Sequence, residues 1–141
     1  MNQQRKSFLP HYHVTAGVIQ NNGKILITQR QFSDMFGGLW EFPGGKLQPG
    51  ENLEQCLSRE IAEELALPIR IERKLMEIDH HYDELSITLH VFWCTALHDQ
   101  PQRRAVQSWR WVDLAELDQY QFTAADQKVI AKLKELCLKT M

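Results

Sequence analysis

The sequence predicts an α/β fold in which a mixed β-sheet lies between helices. Two observations lead there. Runs rich in β-branched and aromatic residues fill both the first thirty residues and residues 69–97, with one strongly periodic helix between them and a second helix at the end. Strands, a helix, more strands and a final helix imply a sheet covered on both faces. A length of 141 residues suits one domain spanning 1–141. With 43% of residues hydrophobic and 24% charged, the chain can fill a core without disulfides or metal staples.

The elements follow in order. "HVTAGVIQ" and "KILITQR" are two antiparallel strands joined by "NNG", whose Asn-Gly pair supplies the positive φ angles of a tight hairpin turn. "QFSDMFGGLWEFPGGKLQPG" reads as a loop from its Gly and Pro content, with Phe36, Trp40 and Phe42 packing it down over the body. A helix runs from near Asn52 to before Pro68. Leu53, Leu57, Ile61 and Leu65 form its buried ridge. "IRIERKLMEIDHHY" and "ELSITLHVFWCTAL" form a long hairpin turning at Asp83-Glu84. "HDQPQRRAVQ" is a polar loop, "SWRWVDL" a last strand, and "TAADQKVIAKLKELCLK" a helix with Thr123 as N-cap.

Charge and cysteine usage narrow the function. A formal net charge of -2 gives no global basic field for a polyanion such as DNA, so stable nucleic-acid binding is not expected. Cys56, Cys94 and Cys137 are an odd number without C-x-x-C spacing, which speaks against a disulfide framework or zinc site and fits a reducing cytoplasm. "MNQQRKSFLPHYHV" has no apolar signal core, and no later run reaches the length of a membrane span. The expectation is a cytoplasmic protein without membrane attachment.

Glu60, Glu63 and Glu64 stand at i, i+3 and i+4 and project from one side of the central helix. Two like charges at i, i+4 repel by ~0.2–0.5 kcal/mol on an exposed helix, and a divalent cation would relieve them. Oxygen-only donors suit hard ions such as Mg²⁺ or Mn²⁺. Glutamates alone are as compatible with a solvated acidic face. Their flanks add weight: Gly44-Gly45 allows close backbone approach, and Glu51 and Arg59 are an oppositely charged pair.

With these positions the sequence resembles the Nudix hydrolases. The box G-x5-E-x7-R-E-U-x-E-E-x-G-U, with U aliphatic, is matched by Gly45, Glu51, Arg59, Glu60, Ile61, Glu63, Glu64 and Leu67. Ala66 stands where the family has glycine, a position that tolerates a left-handed conformation, so alanine there strains the helix end. "ITQR", "WEFPGGK" and "TAADQKVIAKL" look like the MutT-type branch. The resemblance implies a Nudix α/β/α sandwich. It also implies Glu60, Glu63 and Glu64 as metal ligands with the Gly45 carbonyl, and Glu51 with Arg59 as organisers of loop and helix. MutT-like proteins often place a further metal-ligating glutamate before the last strand; aligned on Trp111, that position is Ala105, with Gln107 nearby and Glu41 a substitute carboxylate.

The implied reaction is Mg²⁺-dependent hydrolysis of a small-molecule nucleoside triphosphate by water, giving monophosphate and pyrophosphate. Arg30 is the partner for substrate phosphate or else a strand-end cation. Asp126, matching the branch's base-contacting position, accepts from an exocyclic amino group when ionised; its alternative role is a first-turn residue favoured by the helix dipole. Phe42 packs on the base or plugs the core. Trp93, Trp109 and Trp111 read as sheet packing. Adjacent His80 and His81 point to opposite faces, so a histidine metal site with His90 is not expected. The leading reading is sanitation of oxidised nucleotides such as 8-oxo-dGTP. The alternatives are a CTP or modified-pyrimidine triphosphate pyrophosphohydrolase, and a non-catalytic module like the oxidised-guanine-reading domain of adenine glycosylases.

Overall fold

The computed structural model describes residues 9–140, with side chains up to residue 137. The reading of the N-terminal segment as leaderless therefore falls mostly outside the described residues. Strands β1 (His11–Asn21) and β2 (Lys24–Gln29) form the expected hairpin, with Asn22 and Gly23 both at positive φ. Two short strands follow, β3 (Trp40–Glu41) and β4 (Gly44–Lys46), then helix α1 (Leu53–Leu65) and the long hairpin β5 (Ile69–His81) and β6 (Ser86–Ala96). β7 (Ser108–Val112), a 3₁₀ turn (Leu114–Gln119) and helix α2 (Ala124–Thr140) complete the chain.

The sheet runs β3-β2-β1-β6-β5, with β4 pairing β1 and β7 pairing β2. β1 and β6 are parallel and the other pairs antiparallel, so the sheet is mixed as expected. Its central strands alternate between two cores. Ile19, Leu26, Phe92 and Cys94 meet Leu57, Ile61 and Leu65 of α1 on one face. Val18, Ile25, Ile27 and Val91 meet Val129, Ile130 and Leu133 of α2 on the other. Burial on both faces explains the unbroken apolar runs of β1 and β2. The result is the α/β/α sandwich.

Two features depart from the sequence reading. Residues 31–50 are not all loop, because β3 and β4 belong to the sheet. A side chain on Gly44 would run into the Thr15 carbonyl, so this close pairing requires glycine there. The last strand also ends at Val112, where Asp113 opens the 3₁₀ turn, its N–H donating to the Glu116 side chain at 2.9 Å and its carbonyl accepting the Glu116 N–H at 2.9 Å.

Candidate active site

Helix α1 is positioned at both ends by local chemistry. Asn52 accepts from the Gln55 N–H at 2.8 Å while the Gln55 side chain accepts from the Asn52 N–H at 2.9 Å, a reciprocal capping box. Ala66 ends the helix in the left-handed region at φ 49°, ψ 38°, its N–H donating to the Ala62 carbonyl at 2.9 Å. The conformation expected of a glycine is thus adopted by an alanine.

The loop ahead of α1 is bound to it through Arg59. This guanidinium donates to both Glu51 oxygens, from Nε at 2.9 Å and from Nη2 at 2.7 Å, and also to the Lys46 carbonyl at 3.2 Å. Its Nη1 reaches Glu60 at 2.9 Å and Glu63 at 3.3 Å. Hydrogen bonds from Arg59 hold the Glu51 carboxyl down at about 2, and the Gln48 N–H adds to the effect. Glu51 and Arg59 thereby tie the loop to the helix.

Gly45 lies directly under the Glu60 carboxylate, where a Cβ would collide with it. The Gly45 carbonyl is approached from behind by the Thr15 hydroxyl at 3.3 Å and the Cys56 thiol at 3.5 Å. Glu64, one turn further along the helix than Glu60, faces the cavity. Its Oε2 is buried without a hydrogen-bond partner, and burial pushes its carboxyl up to about 9, with the Glu41 and Glu60 charges adding to the rise. Glu41 is raised to about 7 by burial, against the opposing pull of Arg30.

These groups open into a cavity of about 450 Å³ that includes Arg30, Glu41, Gly45, Glu60, Glu64 and Asp126 in its lining. A broader groove of about 810 Å³ lies behind Phe36 and Tyr82. Its charged lining residues, Asp118 and Lys134, pair with each other at 2.7 Å, whereas the carboxylates of Glu41, Glu60, Glu64 and Asp126 line the smaller cavity.

The remaining residues singled out from the sequence divide. Arg30 reaches the cavity, but its Nη1 donates to Glu41 at 3.0 Å and its Nε to the Met35 carbonyl at 2.7 Å, so it also struts the loop. Phe42 is 2% exposed and stacks at 5.6 Å on Phe122, a core plug that touches the cavity with one edge. Asp126 is 6% exposed; its Oδ1 accepts the Phe42 N–H at 3.2 Å and its Oδ2 accepts the Thr123 hydroxyl. Burial raises it to about 6. Glu63 is exposed beside Arg59 and does not line the cavity. Ala105 lines the same cavity, its N–H donating to the Glu64 carbonyl at 3.1 Å, whereas Gln107 turns back to Gln29. The three tryptophans pack against the two cores, as expected.

No three acidic, histidine or cysteine side chains among the described residues converge as a ready-made metal cage. Arg59 draws Glu60 and Glu63 to itself while Glu64 faces inward. The donor set still fits a hard divalent cation. An orphaned buried carboxylate oxygen on Glu64, a second carboxylate on Glu60 seated over a glycine and a third on Glu63 in the same helical turn are what such an ion would satisfy. Sequence reasoning missed Tyr82, which lines the cavity from the β5–β6 turn; only a long-range contact marks it.

Comparison with known proteins agrees with this geometry. The profile of the NUDIX domain matches residues 14–132. The 8-oxo-dGTP diphosphatase of Escherichia coli is 32% identical over 124 residues, covering 87% of this chain and 96% of that protein. The CTP pyrophosphohydrolase of the same organism is 34% identical over 113 residues, covering 80% and 84%. The solution structure of the E. coli ORF135 protein superposes with a TM-score of 0.77 at 30% identity, over 92% of this chain and 93% of that one. A MutT protein from Methanosarcina mazei has the same fold, with a TM-score of 0.82 at 21% identity over 91% and 96%. This chain belongs to the NUDIX hydrolase family, on its MutT-like branch.

Proposed function

We propose that the chain hydrolyses nucleoside triphosphates to the monophosphate and pyrophosphate with Mg²⁺, or Mn²⁺ in its place, and that oxidised nucleotides such as 8-oxo-dGTP are its substrates. The observation that carries the reading is the buried, unpartnered Glu64 carboxylate oxygen beside Glu60 and Gly45, in a cavity that Asp126 also lines. Similarity to 8-oxo-dGTP diphosphatases supports the substrate class.

When bound, a divalent cation supplies charge neutralisation for phosphate oxygens and lowers the pKa of water. Glu60, Glu63 and Glu64 with the Gly45 carbonyl would hold it. The chain's own groups prepare the site. Arg59 fixes Glu60 and Glu63 against the Glu51 anchor, so the acidic turn is oriented before substrate arrives. Glu64, whose carboxyl is raised by burial, would hold the ion only in its deprotonated form, so ion binding would be pH-dependent. Arg30 offers its remaining N–H edge to a phosphate oxygen while keeping its strut to Glu41. Asp126, held by the Phe42 N–H and the Thr123 hydroxyl, accepts from an N–H on the base.

That last contact favours a second reading, a CTP or modified-pyrimidine pyrophosphohydrolase, because the cytosine amino group is a suitable donor to Asp126. The test of both is release of pyrophosphate and monophosphate from 8-oxo-dGTP, dGTP, CTP and dCTP, with Mg²⁺ and with chelator. Glu63→Gln, at an exposed position where the fold should tolerate it, should lower kcat by about 10²–10³-fold. Preference for cytosine nucleotides would select the second reading. If no triphosphate is turned over, the enzymatic reading fails and the oxidised-guanine recognition module takes its place.

A further inference from the structure

Beside Asp126, at the inner end of the cavity, lies a phenol that the proposed reaction has not used. Tyr82 follows the last residue of β5, its N–H donating to the Leu85 carbonyl at 2.8 Å across the β5–β6 turn. Its ring is fixed on two sides, by Phe36 with centroids 4.6 Å apart and by His80 at 4.4 Å. The hydroxyl oxygen accepts the Ala125 N–H at 3.1 Å, from the first turn of α2. Tyr82, Ala125 and Asp126 line the same cavity.

The hydrogen-bond inventory of this corner is unequal. A phenol carries one donor hydrogen besides its acceptor lone pairs. With Ala125 on the acceptor side, that hydrogen must find another acceptor. Thr123 is the neighbouring side chain and hydrogen-bonds with the phenol; its own hydrogen goes to Asp126 and one lone pair to the Asp126 N–H at 3.4 Å, which leaves a single lone pair as the phenol's alternative to an acceptor on a ligand. Burial raises the phenol further above its ordinary range, so it stays protonated at neutral pH and remains a donor. Asp126 offers only acceptor capacity to a ligand when ionised. The two residues therefore present a donor and an acceptor from one wall.

Building on the nucleotide reading, we propose that Tyr82 is a base-selecting residue, its O–H donating to an acceptor atom of the base adjacent to the N–H that Asp126 accepts. The ligand edge must carry a donor and an acceptor on neighbouring atoms, in the order that matches the pair. Phe36, stacked on the same ring, limits where that edge can lie.

The experiment compares the parent chain with Tyr82→Phe on its preferred nucleoside triphosphate and on an abasic 2′-deoxyribose 5-triphosphate. The variant keeps both ring contacts and removes only the hydroxyl. Loss of one neutral hydrogen bond predicts a fall in kcat/KM of about three- to tenfold on the nucleotide, mainly through KM. On the abasic substrate parent and variant should be equal. A purely structural hydroxyl, serving only the start of α2, would lower both substrates alike, and that result overturns the proposal; so does equal activity on the nucleotide. If the parent cleaves no triphosphate, the functional reading falls and takes the proposal with it. Parent turnover with an unaffected variant removes the role of Tyr82 alone.

Discussion

Replacing Ala66 by glycine should not weaken the protein, although glycine at a helix end ordinarily costs conformational entropy. Ala66 is held at φ 49°, ψ 38°, a region that costs an L-residue with a Cβ roughly 1–2 kcal/mol. The conformation is fixed by its N–H bond to the Ala62 carbonyl and by Leu67, which is buried in the α1 core directly after it. Glycine removes the left-handed penalty but adds freedom to the unfolded chain, worth about 0.4–1 kcal/mol in the opposite direction. Ala62→Gly supplies the control, because Ala62 is exposed within regular helix. It carries the same unfolded-state effect with no strain to relieve, and should lose about 1 kcal/mol. The difference between the two variants isolates the strain at roughly 1–2 kcal/mol, which corresponds to about 3–8 °C between their thermal midpoints. Calorimetry or thermal circular dichroism measures it directly. Equal destabilisation by the two substitutions would refute the idea that Ala66 is strained. Turnover should be unchanged in Ala66→Gly, since the residue contributes no side chain to the cavity.

Two further outcomes concern the acidic turn. In chelator, stability should fall as pH rises from about 5 to about 9, because a carboxyl raised to about 9 binds its proton more tightly in the folded chain than in the unfolded one. Glu41 and Asp126, raised to about 7 and about 6, act in the same direction. Glu64→Gln should flatten that slope in denaturant titrations across this pH range; an unchanged slope would mean Glu64 is not the group responsible. Ala105→Glu should be tolerated at its exposed position, with stability within about 0.5 kcal/mol of the parent. The new carboxylate at the cavity rim should lower the Mg²⁺ concentration for half-maximal turnover, and no shift would show that the rim position cannot reach the ion.

The local chemistry of this chain was legible in its residues. Leu57, Ile61 and Leu65 at fourfold spacing fix the buried ridge of α1, joined by Cys56, while Leu53 at its start is only partly buried; the i, i+3, i+4 pattern puts Glu60, Glu63 and Glu64 within one turn, because helix geometry depends only on spacing. Asn22-Gly23 fixes the first hairpin for the same local reason. What needed the tertiary structure involves groups brought together from distant segments. β3 and β4 pair with strands already formed, which no pattern inside a Gly- and Pro-rich segment announces. Spacing puts Glu63 and Glu64 on one side of the helix, yet only the packing of the residue 101–107 loop and β3 leaves one exposed and buries an oxygen of the other. Tyr82 and Asp126 are separated along the chain and meet only because the β5–β6 turn and the start of α2 lie at the same end of the sheet. Sequence determined which groups could do chemistry, because type and local spacing are properties of the chain. Burial and neighbours decided their protonation and direction, because both depend on what folding removes from water.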